Sequence, residues 1–311
     1  MAPNPIKSIL PKPPEVSILT AANPLPEEMR QFEEWKNGVK GRALGCMTAT
    51  SEPIWCPPAD REVFEPDVTP FYEFYPLKTN LPHGCLGFVD DEGRWRIEAE
   101  DGLKARLAYQ VGRELWTGVK TGSASFQGNT TAISTTDPLL PIAAISKALA
   151  DYSECSQGQQ AFIHVPVVLV DHLSVHGYFD RKGDKLVTAT GNIVVPGPGY
   201  PGNGTWGPYD SNLRPPGPGE DGYDADNYAD DLATYYESGA LADEGQCWVY
   251  VTGPIEAADP HYLSRTIGDD VRNEEHVSRM NEFYTTARGV TIARFDTCCV
   301  FAALVTIPGN A

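Results

Sequence analysis

Ten of the chain's 27 prolines fall within its first 58 residues, at Pro3, Pro5, Pro11, Pro13, Pro14, Pro24, Pro26, Pro53, Pro57 and Pro58. Proline fixes φ and donates no backbone hydrogen bond, so it is kept out of helix interiors and central strands. Residues 1–65 are therefore predicted to form an extended arm. One short helix fits inside it, from Pro26 to about Asn37, where Leu25, Met29, Phe32 and Trp35 recur at spacings of three and four. Such an arm buries little of itself, which predicts that it is either disordered or laid on a neighbouring molecule.

Beyond the arm the patterning is that of a folded body. Phe71 to Arg96 reads as a long two-stranded excursion, with aromatics in Phe71-Tyr72-Glu73-Phe74-Tyr75 and a turn at Asp90-Asp91-Glu92-Gly93 before Arg94-Trp95-Arg96-Ile97. Leu103, Leu107, Val111 and Leu115 fall every four residues, with Glu98, Glu100 and Asp101 at the positive end and Gly118 near the stop, which predicts a helix over 98–117. Residues 118–136 read as a Gly/Ser/Thr-rich loop. Asp137-Pro138 then offers an N-cap and a first-turn proline for a second helix running to about Tyr152. A buried strand over Ala161–Val165, a short helix over Val167–His176, and strands at Lys185–Thr188 and Gly191–Val195 follow. Residues 201–246 mix Pro and Gly with acidic residues and read as a long surface insertion. Strands are predicted again at Trp248–Thr252, Gly289–Ala293 and Val300–Val305, segments rich in β-branched and aromatic residues.

Charge narrows the function classes. Lys and Arg number 24 against 42 Asp and Glu, a net charge of −18, which opposes nonspecific attraction to nucleic acid and makes sequence-reading of DNA a poor expectation. No uninterrupted apolar run of about 18 residues exists and the first residues lack the apolar stretch of a secretory signal, so the chain is expected to stay in the cytoplasm. The seven cysteines (46, 56, 85, 155, 247, 298 and 299) show no CxxC pair, and free, mostly buried thiols are the expectation. The sequons at Asn129 and Asn203 carry no weight in a chain that is not secreted.

Candidate chemistry is sparse. His172 and His176 are spaced to share one side of a helix, with His164 upstream, yet no Glu follows the first histidine as in metalloproteases; packing or surface roles are expected. Asp221, Asp224 and Asp226 suggest a calcium loop, but Tyr228 and Ala229 stand where a ligand and the turn glycine belong. Gly197-Pro198-Gly199-Tyr200-Pro201-Gly202 lacks the GKS or GKT ending of a phosphate loop and reads as a turn. Cys298-Cys299 has no neighbouring histidine and is expected to be buried in a strand. No catalytic, cofactor-binding or metal-binding residue is assigned, and no enzymatic activity or cofactor is expected.

The order of elements resembles the Hong Kong 97 capsid fold, an α+β architecture. The local wording resembles phage capsid sequences over roughly residues 100–308: Leu115-Trp116-Thr117-Gly118, Pro141 to Asp151, Ala161-Phe162-Ile163-His164-Val165-Pro166, Gly191 to Val195, Tyr250-Val251-Thr252-Gly253-Pro254-Ile255, and Ala293-Arg294-Phe295-Asp296 through Pro308. The resemblance is to the actinobacterial phage type. It implies an N-terminal arm over 1–65, an extended loop over 66–97, a spine helix and peripheral domain over 98–136, an axial domain over 137–251 with its insertion at 201–246, and a peripheral sheet and C-terminus over 252–311. It further implies a major capsid protein that self-assembles into hexamers and pentamers of an icosahedral head. The implied partners are other copies of the chain, with decoration, scaffolding and portal proteins, and packaged DNA contacted without sequence specificity; no membrane is involved. The implied location is the virion, assembled in the host cytoplasm. An encapsulin-type compartment shares the fold, and a metal hydrolase using His164, His172 and His176 is the alternative from another class. Some members of the fold are cross-linked through a lysine and an asparagine; Lys78 is the position at which to look.

Overall fold

The computed structural model describes residues 12–42, 71–86, 92–201, 207–209, 227, 242–267 and 282–309. In chain order the elements are α1 (Ile18–Ala21), β1 (Asn23–Pro24), a 3-10 turn (Glu27–Met29), α2 (Phe32–Trp35), β2 (Val39–Arg42), β3 (Phe71–Phe74), β4 (Leu77–Leu86), α3 (Glu92–Thr117), β5 (Ala132–Leu139), α4 (Pro141–Cys155) and β6 (Phe162–Pro166). There follow α5 (Val167–Val175), β7 (Phe179–Lys182), β8 (Lys185–Thr188), β9 (Ile193–Gly197), β10 (Gln246–Thr252), β11 (Ile255–Ala257), β12 (His261–Ile267), β13 (Glu282–Thr291), β14 (Ala293–Phe295) and β15 (Phe301–Thr306).

The centre is a seven-stranded mixed sheet in the order β5-β15-β10-β6-β9-β8-β7. It is parallel at β5/β15 and β6/β9 and antiparallel elsewhere. Alternate side chains of its central strands enter two different cores, as the two-residue strand period requires. Phe162, Val195, Trp248, Tyr250, Ala302 and Leu304 pack with Leu107, Val111, Leu115 and Trp116 of α3. Ile163, Val165, Val194, Val249, Val251 and Ala303 pack with Ala144, Ile145 and Ala148 of α4 and Leu169 and Leu173 of α5. The sheet is thus covered by α3 on one face and by α4 and α5 on the other, which explains why its inner strands read as continuous apolar runs.

A second, three-stranded antiparallel sheet, β12-β13-β4, lies on the first half of α3. Ala99 and Leu103 of the helix meet Leu81 and Ala287 of the sheet. A Cβ at Gly102 would stand 2.8 Å from Leu81 Cδ2, so a larger residue there would make the Leu81 side chain shift. The long strand β4 therefore finds its partner some 200 residues later in β13 and not in the sequence that follows it. The segment Arg94–Ile97, expected as a strand, forms the first turns of α3 instead.

Two further boundaries differ from expectation. Asp137-Pro138 caps no helix: both residues lie in β5, the edge strand of the large sheet, where a missing N–H is tolerated. Thr135 fastens that strand, its Oγ1 donating to the Leu304 carbonyl at 3.1 Å and accepting from the Leu304 N–H at 2.9 Å. Helix α4 starts at Pro141 with Leu140 at its cap, so the Gly/Ser/Thr-rich loop ends before Ala132.

The arm is also corrected over the part described. Its expected single helix is two pieces, the 3-10 turn and α2. Residues 12–42 do not leave the body: Ile18, Ala21, Leu25, Trp35 and Val39 are buried in the chain's own core. Ser17 and Thr20 close a capping box on α1. β1 pairs in parallel with β11, and the Leu25 N–H donates to the Ala257 carbonyl at 3.2 Å. Phe32 stacks on the His261 ring with centroids 4.3 Å apart. The arm is a clasp that runs from the large sheet, where Glu15 meets Arg181 at 2.9 Å, to the start of β12.

Candidate functional site

The residues with the most chemistry converge under Trp116, at the end of α3. Gly118 ends the helix in the left-handed conformation (φ 71°), its N–H donating to the Glu114 carbonyl at 2.7 Å. The buried Glu114 carboxylate then holds the loop that follows, accepting from the Lys120 N–H at 3.0 Å, the Thr121 N–H at 2.8 Å and the Thr121 hydroxyl at 2.7 Å. That loop delivers Phe126 into an aromatic cluster, 4.3 Å from the His164 ring and 4.9 Å from Phe295. Trp116 lies 4.5 Å from Tyr250 and 4.8 Å from Tyr200.

His164 is fully buried on β6 within this cluster. Its Nε2 stands 2.9 Å from Thr252 Oγ1 and its Nδ1 2.8 Å from the Tyr200 hydroxyl. Thr252 uses its only hydroxyl proton on the Gly253 carbonyl at 2.8 Å, so it can only accept from the imidazole. Nε2 therefore carries the proton, and Nδ1 accepts from Tyr200. The neutral ring is satisfied on both sides, and burial drives its pKa down to about 3. Burial raises Tyr200 and Tyr250 well above the ordinary tyrosine value. None of the three is poised to exchange protons near neutrality, which is the reverse of a general acid–base site.

His172 and His176 do approach one another, with ring centroids 4.5 Å apart at the end of α5. That helix packs through Leu169 and Leu173 on the sheet face opposite to His164. The three imidazoles do not converge, so the geometry a histidine metal site would need is missing. Among the described residues no group of three or more His, Cys, Asp or Glu could hold a metal ion. Asp221, Asp224 and Asp226 lie outside the described residues. So does most of the insertion over 201–246, but its start is tied to α3, with Tyr209 donating to the Thr117 carbonyl at 3.1 Å.

Residues 197–201 of the glycine-rich segment pack on α3. A Cβ at Gly199 would fall 2.1 Å from the Tyr109 carbonyl oxygen, so only glycine fits this approach, and its role is contact with the helix. A cavity of about 130 Å³ remains there, lined by Tyr109, Arg113, Thr117, Pro198, Gly199, Tyr200 and Pro201. Lys78 is exposed on β4 opposite Val290.

The expectation of free, buried thiols is overturned at Cys155, Cys298 and Cys299 and holds at Cys247; Cys46 and Cys56 lie outside the described residues. Cys155 and Cys299 form a disulfide, and Cys298 is disulfide-bonded as well. Cys298 and Cys299 are buried as expected, but in a bend ahead of β15 and not in a strand. Cys247 is free and buried, and desolvation pushes its thiol up to about 12. The scattered sequence positions carried no signal for the pairing, because the partners are 144 residues apart.

Among the described residues the exposed large apolar side chains include Leu139 and Leu140 where β5 meets α4, Val167, Val168 and Val175 on α5, and Ile97 and Val119 near the two ends of α3. α5 is thus apolar on its outer side as well as its inner one, a composition suited to being covered. Among the described residues no helix is long and apolar enough to cross a membrane.

No protein-family model matches the sequence, and no curated protein does. Solved structures do match along almost the whole chain. A Microbacterium phage Oxtober96 structure is similar at 9% identity, covering 97% of this chain and 94% of that one, with a TM-score of 0.51. A Mycobacterium phage Bobi structure (10% identity, 98% and 94% covered, TM-score 0.49) and the capsid of a native GTA particle (8% identity, 98% and 94% covered, TM-score 0.49) are also similar. At such identities the likeness is one of fold. The chain has the α+β Hong Kong 97-like capsid fold that its order of elements led one to expect.

Proposed function

We propose that this chain is the major capsid protein of a tailed double-stranded DNA bacteriophage, a structural subunit with no catalytic role. The observation that carries the reading is the likeness of fold to a phage structure over nearly the full length of both chains. A shared site on a shared domain would leave much of one chain unmatched; a shared architecture does not. The buried His164 network and the separation of His164 from His172 and His176 agree with a molecule whose chemistry is packing.

In this reading many copies of the chain pack as hexamers and pentamers into an icosahedral head. The exposed apolar residues of α5 and of the β5–α4 junction are contact surfaces between copies. The genome is enclosed without being read, since a chain of net charge −18 needs counterions to lie beside DNA. Assembly takes place in the host cytoplasm, and decoration, scaffolding and portal proteins are the remaining partners.

Negative-stain electron microscopy of the full chain, expressed alone and with its neighbouring genes, tests the proposal. Closed shells or sheets of hexamers are expected, with nucleic acid inside when the packaging genes are present. Shells that enclose a protein cargo and no genome would assign the same fold to a compartment. Monomers or dimers alone, under both conditions, would overturn the shell reading.

A further inference from the structure

Cys155 closes α4, and Cys299 sits in the bend that leads into β15, with their Cα atoms 5.7 Å apart. Each is placed by contacts that do not need the bond. On one side, Ala144, Ile145, Ala148 and Tyr152 bury α4 against the sheet, and the Tyr152 hydroxyl donates to the Gln160 carbonyl at 3.1 Å. On the other, the Cys298 N–H donates to Asp296 Oδ1 at 3.0 Å, and Val300 exchanges hydrogen bonds with Thr131 at 2.7 and 3.2 Å. These contacts hold Cys299 at φ 55°, a conformation a non-glycine residue rarely adopts. Contacts other than the bond therefore act to place the two residues within disulfide range.

We propose that Cys155 and Cys299 are an oxidative staple, closed after the chain has folded and opened again by reductant. The half-buried Cys155 is the entry point and Cys299, almost wholly buried, the resolving thiol. With oxidised glutathione as acceptor, the Cys155 thiolate attacks one glutathione sulfur, forming a mixed disulfide and releasing one glutathione thiolate. Cys299 then displaces the second. Two protein thiols become one protein disulfide, and one glutathione disulfide becomes two thiols. Cys247 lies in the same core but does not scramble the bond, since burial keeps it a thiol. Resting on the shell reading, the timing follows: a subunit assembled in a reducing cytoplasm is stapled on release into an oxidising medium.

The test uses the full chain, because Cys298 is also bonded and a bulk reductant effect would not be specific. Cells are lysed directly into denaturant containing N-ethylmaleimide, so that buried thiols are alkylated too, and purified protein exposed to oxidised glutathione is treated in the same way; both samples are peptide-mapped without reduction. Thermal unfolding is then compared for oxidised and reduced forms of the parent and of Cys155→Ser and Cys299→Ala. The expected result is alkylated Cys155 and Cys299 in cells and a linked peptide after oxidation. Oxidation should raise Tm by roughly 5 °C more in the parent than in either variant. No linked peptide after oxidation, or equal shifts in parent and variants, would overturn the staple, and a linked peptide already present in cells would overturn its timing. Failure to form shells with the linked peptide still present would count against the shell reading and leave the staple standing.

Discussion

At the scale of single residues, the His164 network sets how the protein responds to acid. The folded imidazole has its pKa lowered to about 3, whereas an unfolded histidine binds its proton near 6.5. Below that value the unfolded chain takes up a proton that the folded chain refuses. The stability this group contributes is thus complete above about pH 6.5 and falls as pH drops toward 3, by about 1.4 kcal/mol per pH unit. Protonating Nδ1 in place would also turn a second donor on the Tyr200 hydroxyl in a fully buried site. His164→Gln keeps a donor and an acceptor but cannot titrate. It should cost about 1–3 kcal/mol at pH 7 through imperfect hydrogen bonding, and its stability should fall less steeply between pH 6.5 and 4.5 than the parent's. Urea unfolding of both proteins at several pH values measures this difference, which cancels the carboxylates they share. Parallel curves would mean that His164 is not the buried, neutral group described.

At the scale of elements, the arm matters most for the stability of the folded chain itself. Trp35 and Leu25 are each 1% exposed, and they seal the same core as Trp116 and Tyr250. Trp35→Ala should therefore destabilise the isolated chain by about 3–5 kcal/mol, measured by thermal or denaturant unfolding. A loss below about 1 kcal/mol would return the arm to the role its prolines suggested, as a segment laid on other copies. The sequence misled here because proline density reports what a segment cannot form, and it is silent on whether four apolar side chains at Ile18, Leu25, Trp35 and Val39 find a core. Elements with a local signal were legible: the stripe Leu103, Leu107, Val111 and Leu115 gave α3, and the apolar runs gave β6, β10 and β15. What depended on distant partners was not. β5 looked like loop because its support is Thr135 clamped on Leu304; β4 looked like half of a local hairpin because its partner is β13; the cysteines looked free because Cys155 meets Cys299 only once the sheet is built. Of the candidate sites, the separation of the histidines was readable in principle. Phe162, His164 and Tyr250 share one face of the sheet while α5 covers the other, and strand alternation decides which side chain goes where only after the neighbours are known.

At the scale of the whole molecule, charge and shape pull in opposite directions. The chain presents apolar side chains at Leu140 and Val175, which are 66% and 84% exposed, and carries a net charge of −18. Burial of such patches favours association, while like charge on every copy opposes it over the screening distance. That distance is about 30 Å at 0.01 M salt and about 8 Å at 0.15 M, so at low salt whole subunits repel and at higher salt only charges close to the contact do. If copies of this chain form a shell, assembly from subunits should therefore accelerate as sodium chloride rises from about 10 mM to about 150 mM. Light scattering at fixed protein concentration, with microscopy to distinguish shells from aggregate, reads the effect. The opposite trend, assembly that dissolves as salt rises, would mean that complementary ion pairs between copies hold the shell together. The acidic surface would then be part of the contact, where the present reading makes it the barrier the apolar patches overcome.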